Sequence, residues 1–331
     1  MRKISTFIPI LLLLGALALP AIAGVTCDGN LQLEGRIQGT TPKDTNDTIQ
    51  LDEPKVNLNI KGDVADGVNA LVELRHKEGK VPSVRQALVE LTKLIPGVTF
   101  RAGRIKLPSE KLQGVDNANS MNNPLIDASI SYSKIYTIDT GAEATLTLDV
   151  MDAAITLGIF RGKADNDNPA LLLKGMARPV EGLDISLLFY TSDETPDQTG
   201  AQKDIITTYG LMGKYRDPQL PALTIKGMVG CNIQDLGTAK PATTCFGLQG
   251  SYDLNEMFWG ALRLANSTTT EEGKKDIKVT EIALGGGYNL AENTKVKVQW
   301  RNLKEENIEI RGVKIPEKTT NALAGEIVIA F

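Results

Sequence analysis

The sequence predicts an all-β protein: a transmembrane antiparallel β-barrel of about sixteen strands, with short periplasmic turns at one end and long outer loops at the other. Three observations predict it. The chain opens on an export leader, the remainder alternates apolar and polar residues in short segments, and the last such segment ends on Phe331.

Met1-Arg2-Lys3 is a short positive stretch, followed by Ile4 to Ala23 without a charge. That stretch holds Leu11-Leu12-Leu13-Leu14 and closes on Ala21-Ile22-Ala23. A basic start, an apolar middle and a small-x-small exit are the parts of a secretory signal peptide. A run of about twenty apolar residues is also long enough for a retained membrane helix, but Pro20 beside the small residues favours cleavage after Ala23. The expected organisation is a leader over 1–23 and one barrel domain over 24–331. Losing Arg2 and Lys3 leaves a chain more acidic than the −4 of the whole sequence, which gives no electrostatic basis for nucleic-acid binding. The mature part has no second run of about 18 apolar residues for a spanning helix.

The mature part reads as strands throughout. Lys55-Val56-Asn57-Leu58-Asn59-Ile60-Lys61 sets Val, Leu and Ile on one face and polar groups on the other, and Lys295 to Arg301 repeats the pattern. Period two means a strand with one apolar and one polar face. A soluble sandwich would show it too, but here the connections alternate between tight and long. Pro96-Gly97, Val150-Met151-Asp152, Pro179 to Gly182 and Asn289 to Asn293 are tight. Gly39 to Pro54, Thr191 to Lys203, Cys231 to Cys245, Asn266 to Asp276 and Lys304 to Thr319 are long and polar. Outer-membrane barrels have this asymmetry. Counting with it gives sixteen strands between residues 29 and 331, an even number that brings both termini to the short-turn side.

In the last strand Leu323, Gly325, Ile327, Ile329 and Phe331 share one face, while Ala324, Glu326 and Val328 share the other. Phe331 with Ile329 and Ile327 at alternate positions resembles the C-terminal recognition strand of bacterial outer-membrane proteins, which implies the barrel-assembly machinery, the bilayer and its lipopolysaccharide as partners.

Residues 104–137 break the alternation with a long stretch rich in Asn, Asp, Ser and Gly. Long irregular segments in compact domains are usually functional or disordered, and in a barrel such backbone can fold into the lumen. A constriction loop after the fifth strand is the expectation. Gly103-Arg104-Ile105-Lys106-Leu107-Pro108 resembles the segment that enters the long third loop of the phosphate-selective porin O and P family. Val84 to Val89, Asp139 to Glu143 and Leu157 to Gly162 resemble its neighbouring strands, so the likeness covers roughly 30–165. That resemblance implies a sixteen-stranded homotrimeric porin. The family's ladder of closely spaced arginines is missing, and aromatics make up only 5% of the chain, so phosphate specificity does not follow. Phe258, Trp259, Tyr288 and Trp300 are the candidates for interfacial aromatics in the late strands.

If apolar positions face lipid, Lys55, Lys61, Arg75, Arg101, Lys174, Lys226, Arg263, Lys295, Lys297 and Arg301 line the lumen, against Glu73, Glu90, Glu143, Asp184, Glu281 and Glu326. The excess is basic, and rings of Arg and Lys favour anions. An open, modestly anion-selective path for ions and small hydrophilic solutes is expected, with Arg101, Arg104 and Lys106 nearest the constriction. Pairing of these charges across strands is the alternative, and a solute-specific transporter or a plugged structural barrel are further possibilities.

Cys231 and Cys245 bracket a polar loop and are expected to form a disulfide in an oxidising envelope, leaving Cys27 over. No metal site is expected, since no C-x-x-C pair occurs, and no cofactor fingerprint is present. His76 is the only histidine and lies in a charged turn, so the chain is not expected to be an enzyme.

Overall fold

The structure, a computed structural model, describes residues 25–41, 48–51, 54–77, 81–107, 124–126, 138–162, 168–193, 205–235, 240–310 and 313–331. The leader over 1–23 and most of the 104–137 segment lie outside these residues. The strands in chain order are β1 (Val25–Thr41), β2 (Thr48–Leu51), β3 (Lys55–Ala65), β4 (Val68–Lys77), β5 (Ser83–Ile95), β6 (Val98–Lys106), β7 (Ile138–Leu148) and β8 (Ala153–Phe160). They continue with β9 (Ala170–Val180), β10 (Leu183–Asp193), β11 (Ile205–Arg216), β12 (Leu223–Asp235), β13 (Ala242–Asp253), β14 (Phe258–Thr270), β15 (Ile277–Ala291), β16 (Thr294–Ile310) and β17 (Val313–Ala330).

All belong to one antiparallel sheet. β2 pairs with Gly35–Gln38 of β1, and β3 pairs with Val25–Gln32 of the same strand. They are therefore two parts of one barrel strand, broken next to Pro54, which has no backbone N–H for a ladder. The result is a closed barrel of sixteen strands, the number the alternation predicts. Closure runs from Asn30 opposite Ala330 to Thr41 opposite Thr319. It leaves no sheet edge, so the ladder hydrogen bonds are satisfied without water.

The period-two pattern sorts the two faces. In β17 Ala322, Ala324, Glu326 and Val328 point inward and are buried, while Leu323 and Ile327 are 49% and 42% exposed on the outside. The neighbouring strands add Leu262, Leu264, Leu284 and Val298 to the same outer belt. Phe258 and Tyr288 stack there at 4.8 Å between ring centroids, next to the short turns. Trp300 also faces out, but Trp259 does not: it lies on the inner face with Ala261 and Arg263.

Short turns close one end of the barrel. Gly67, Gly97 and Gly182 have φ of 72°, 75° and 80°, a left-handed geometry that glycine adopts without a Cβ penalty. Each turn also braces the next hairpin. The carbonyls of Gly67, Gly97 and Gly182 accept from the N–H groups of Thr92, Thr147 and Arg216 at 2.8–2.9 Å.

At the other end two expected loops are shorter than the sequence implies. Lys304 to Thr319 is a continuation of the β16–β17 hairpin, paired to Ile310 opposite Val313. Its charges support strand pairing above the belt: Lys304 Nζ lies 3.0 Å from Glu306 and 3.1 Å from Glu317. Similarly β14 and β15 extend to Thr270 and Ile277 through much of the expected Asn266–Asp276 loop. Polarity there marks strands that have left the apolar belt, not an end to pairing.

Candidate functional site

The inner face of the barrel divides into walls of different chemistry. From β13 round to β3 it is a ladder of charges. The Arg263 guanidinium donates from Nε to Glu281 at 2.8 Å, with neither side chain exposed, and Gln249 lies 3.5 Å away. Arg301 approaches the same carboxylate at 3.4 Å. Lys297 pairs with Glu326 at 2.9 Å, and Gln32 of β1 donates to Glu326 as well. Glu34 receives Arg36 at 2.7 Å and Lys55 at 3.5 Å, and Lys61 meets Asp28 at 3.2 Å. Burial makes each unpaired charge costly, and the cations of this ladder are matched with carboxylates.

The opposite wall is apolar. Leu88, Ile105, Leu107, Phe160, Ala170, Leu172, Leu188 and Tyr190 form one buried cluster on β5, β6, β8, β9 and β10. Beside it lies a basic group in which Arg75 and Lys106 both feel the field of Glu73, with Arg85 close by. Gln86 holds Glu73 at 2.6 Å and accepts the backbone N–H of Lys106 at 3.4 Å.

Between the walls, Pro124-Leu125-Ile126 touches the far side. The backbone N–H of Ile126 donates to Gln299 Oε1 at 2.8 Å, and the Trp259 indole N–H donates to the Pro124 carbonyl at 3.3 Å. Leu125 is 1% exposed in a notch made by Ala261 and Ala283. Gly285 completes it, since a Cβ there would come within 2.8 Å of Leu125 Cδ2. β6 holds the fifth of the sixteen barrel positions and β14 the thirteenth. The chain that leaves β6 at Lys106 therefore reaches the diametrically opposite wall by Pro124.

On the short-turn side of this contact lies a vestibule of about 750 Å³, lined by Lys214, Arg216, Lys226 and Lys295 against Asp253 and Glu256. Lys295 Nζ sits 5.4 Å from the centre of the Trp259 ring, a cation–π distance.

Most of the sequence-predicted lumen residues are here. Arg101 is ion-paired with Glu143, Lys61, Lys297 and Arg301 are paired as described, Arg75 and Lys106 share Glu73, and Lys295 faces the vestibule. Arg104 is the correction. Ile105 is buried in the inner cluster, so Arg104 projects from the outer face, exposed, in register with Ala87 and Thr140. The disulfide expectation is also corrected. Cys231 is opposite Thr244 and Cys245 opposite Gly230, an offset of one residue that sends the side chains to opposite faces. Neither forms a disulfide: Cys245 packs inside against Met228, and Cys231 lies outside beside Tyr209. His76 lies in β4 rather than in a turn. Sequence reasoning missed Trp259 as a lumen residue, Lys214 and the Leu125 notch. The first was recoverable, because the alternation that turns Arg263 inward turns Trp259 inward too.

No family model matches the chain, and no curated protein matches it. Solved structures do. An anion-selective porin from Comamonas acidovorans superposes with a TM-score of 0.68 at 16% identity, covering 93% of this chain and 99% of that one. The likeness is one of fold. In-vitro folded OmpT of Vibrio cholerae in its trimer form gives 0.67 at 12% identity over 93% and 100% of the two chains. The outer-membrane channel DcaP of Acinetobacter baumannii gives 0.65 at 12% identity over 94% and 98%.

Proposed function

We propose that this chain is exported with cleavage of its leader, sits in the outer membrane as a homotrimer, and forms a channel for passive diffusion of ions and small hydrophilic solutes with modest anion selectivity. The observation that carries the reading is the two-faced wall: Leu, Ile and Val outside, charged and polar groups inside a closed barrel. Such a wall needs lipid on one side and an aqueous or chain-filled interior on the other. Cations gathered around Glu73 and in the vestibule supply a basic excess. The ladder of matched pairs keeps that excess small, so selectivity is modest rather than strict. The resemblance of residues 30–165 to the phosphate-selective porin O and P family supports the porin reading. It carries no phosphate specificity, because the Arg263, Lys297 and Arg101 side chains are engaged by carboxylates.

The test is the reversal potential of the purified protein in a planar bilayer under a salt gradient. An anion-selective value is expected, and a cation-selective one would overturn the selectivity. A plugged structural barrel is the second reading, favoured by the Pro124–Ile126 contact across the lumen. It requires near-zero conductance in the same experiment.

A further inference from the structure

Two lysines in the vestibule stand side by side on neighbouring strands. Lys214 of β11 and Lys226 of β12 are direct cross-strand partners on the inner face. Like charges in that position destabilise a sheet, and here the two residues stand directly opposite each other. Asp184 is the nearest acid to Lys214, at 3.9 Å, but its closer partner is Arg178 at 2.9 Å. Among the described residues no carboxylate lies within ion-pair distance of Lys226, which is half-buried. The next inward-facing positions are Met212 and Met228, packed with Cys245, so an apolar floor limits solvation of the pair from one side. Of the two, Lys214 meets an acid only at 3.9 Å, and that acid is held more closely by Arg178.

We propose that Lys214 and Lys226 form a docking station for a small multivalent oxyanion, such as a polycarboxylate or phosphate, on the short-turn side of the Pro124–Ile126 contact. The station rests on the channel reading above and gives it a sided binding step. A bridging dianion would neutralise the two ammonium groups together, replacing the repulsion by two charge-assisted hydrogen bonds. Lys295 stands across the same vestibule above Trp259 and adds a third positive charge to the approach, while Asp253 and Glu256 flank the turn end and keep the site from holding its anion too tightly. A diffusing solute that must leave again needs such a balance.

Citrate and inorganic phosphate are the probes. Added at increasing concentration to one side of single channels, each is expected to interrupt the current saturably, with higher apparent affinity from the short-turn side. Lys226→Gln and the double variant Lys214→Gln/Lys226→Gln should weaken that affinity by about tenfold or more, the scale of one lost charge-assisted contact. Lys240→Gln, which removes a lysine paired with Asp235 in the outer loops at 2.9 Å, should leave it unchanged. Block of equal strength in the double variant, or equal block from both sides, would overturn the station. If the wild-type protein does not conduct, the channel reading fails on its own account. Calorimetric titration of the folded protein in detergent with citrate then decides the station: heat that saturates and is lost in the double variant supports it, and no heat refutes it.

Discussion

Arg263 and Glu281 carry the clearest residue-scale lesson. Two oppositely charged side chains with no exposure lie in contact on neighbouring strands, and their value lies in being complete. Removing one partner of a buried pair leaves an uncompensated charge and costs on the order of 3–5 kcal/mol. Glu281→Gln is therefore expected to lower the denaturant midpoint of the barrel in micelles clearly, while Lys304→Gln, at a more exposed site, barely moves it. Equal midpoints would show that water reaches Arg263. At this scale the sequence told which residues face inward, because parity along a strand is local. It did not tell which partner each one finds, since Lys297 to Glu326 or Gln32 to Glu326 depends on the register between strands and on barrel closure. The cysteines show the cost of that gap: a hairpin drawn one residue out of register joins thiols that the structure separates across the sheet.

Among the elements, β17 depends most on its neighbour. Its last residue is tied to β1 by two backbone hydrogen bonds, Gly29 N to Phe331 O at 2.9 Å and Phe331 N to Gly29 O at 3.0 Å. The ring lies over Gly29, where a Cβ would come within 2.8 Å of it. Gly29→Val is expected to block closure rather than to alter conductance, reducing the heat-modifiable folded band on a gel while expression is unchanged. All sixteen strands were legible, because alternation and turn residues are short-range signals. Strand lengths at the long-loop end were not. Above the apolar belt both faces are polar, as in Lys304-Glu305-Glu306, and period two disappears although pairing persists. The interruption between β2 and β3 was hidden for the related reason that Pro54 could end a loop or break a strand.

For the whole molecule, the deciding feature is a chain segment that leaves one wall and is fastened to the opposite one. The sequence marked 104–137 as exceptional by its length and polarity, yet contained no signal for its landing point, since Ala261, Ala283 and Gly285 read as ordinary small residues of two strands. Leu125→Asp puts a carboxylate against the apolar side chains of Ala261 and Ala283, and Gly285→Val fills the notch directly. Either is expected to release the contact and change single-channel conductance by about twofold or more if the segment limits flow, with the folded band intact. Unchanged conductance in both would place the limiting region elsewhere.

The long β16–β17 hairpin has a separate outcome. Outward-facing residues turn polar at Asn302 and Asn321, which bond to each other at 2.9 Å, while pairing continues to Ile310 and Val313. At about 3.4 Å per residue, the remaining stretch rises on the order of 25 Å beyond the apolar belt, less any tilt. In the outer-membrane placement proposed above, a large particle approaching from the long-loop side would meet this mast first. A peptide tag inserted between residues 311 and 312 should accordingly be stained by antibody on intact cells, whereas one placed in the Pro96-Gly97 turn should be stained only after permeabilisation.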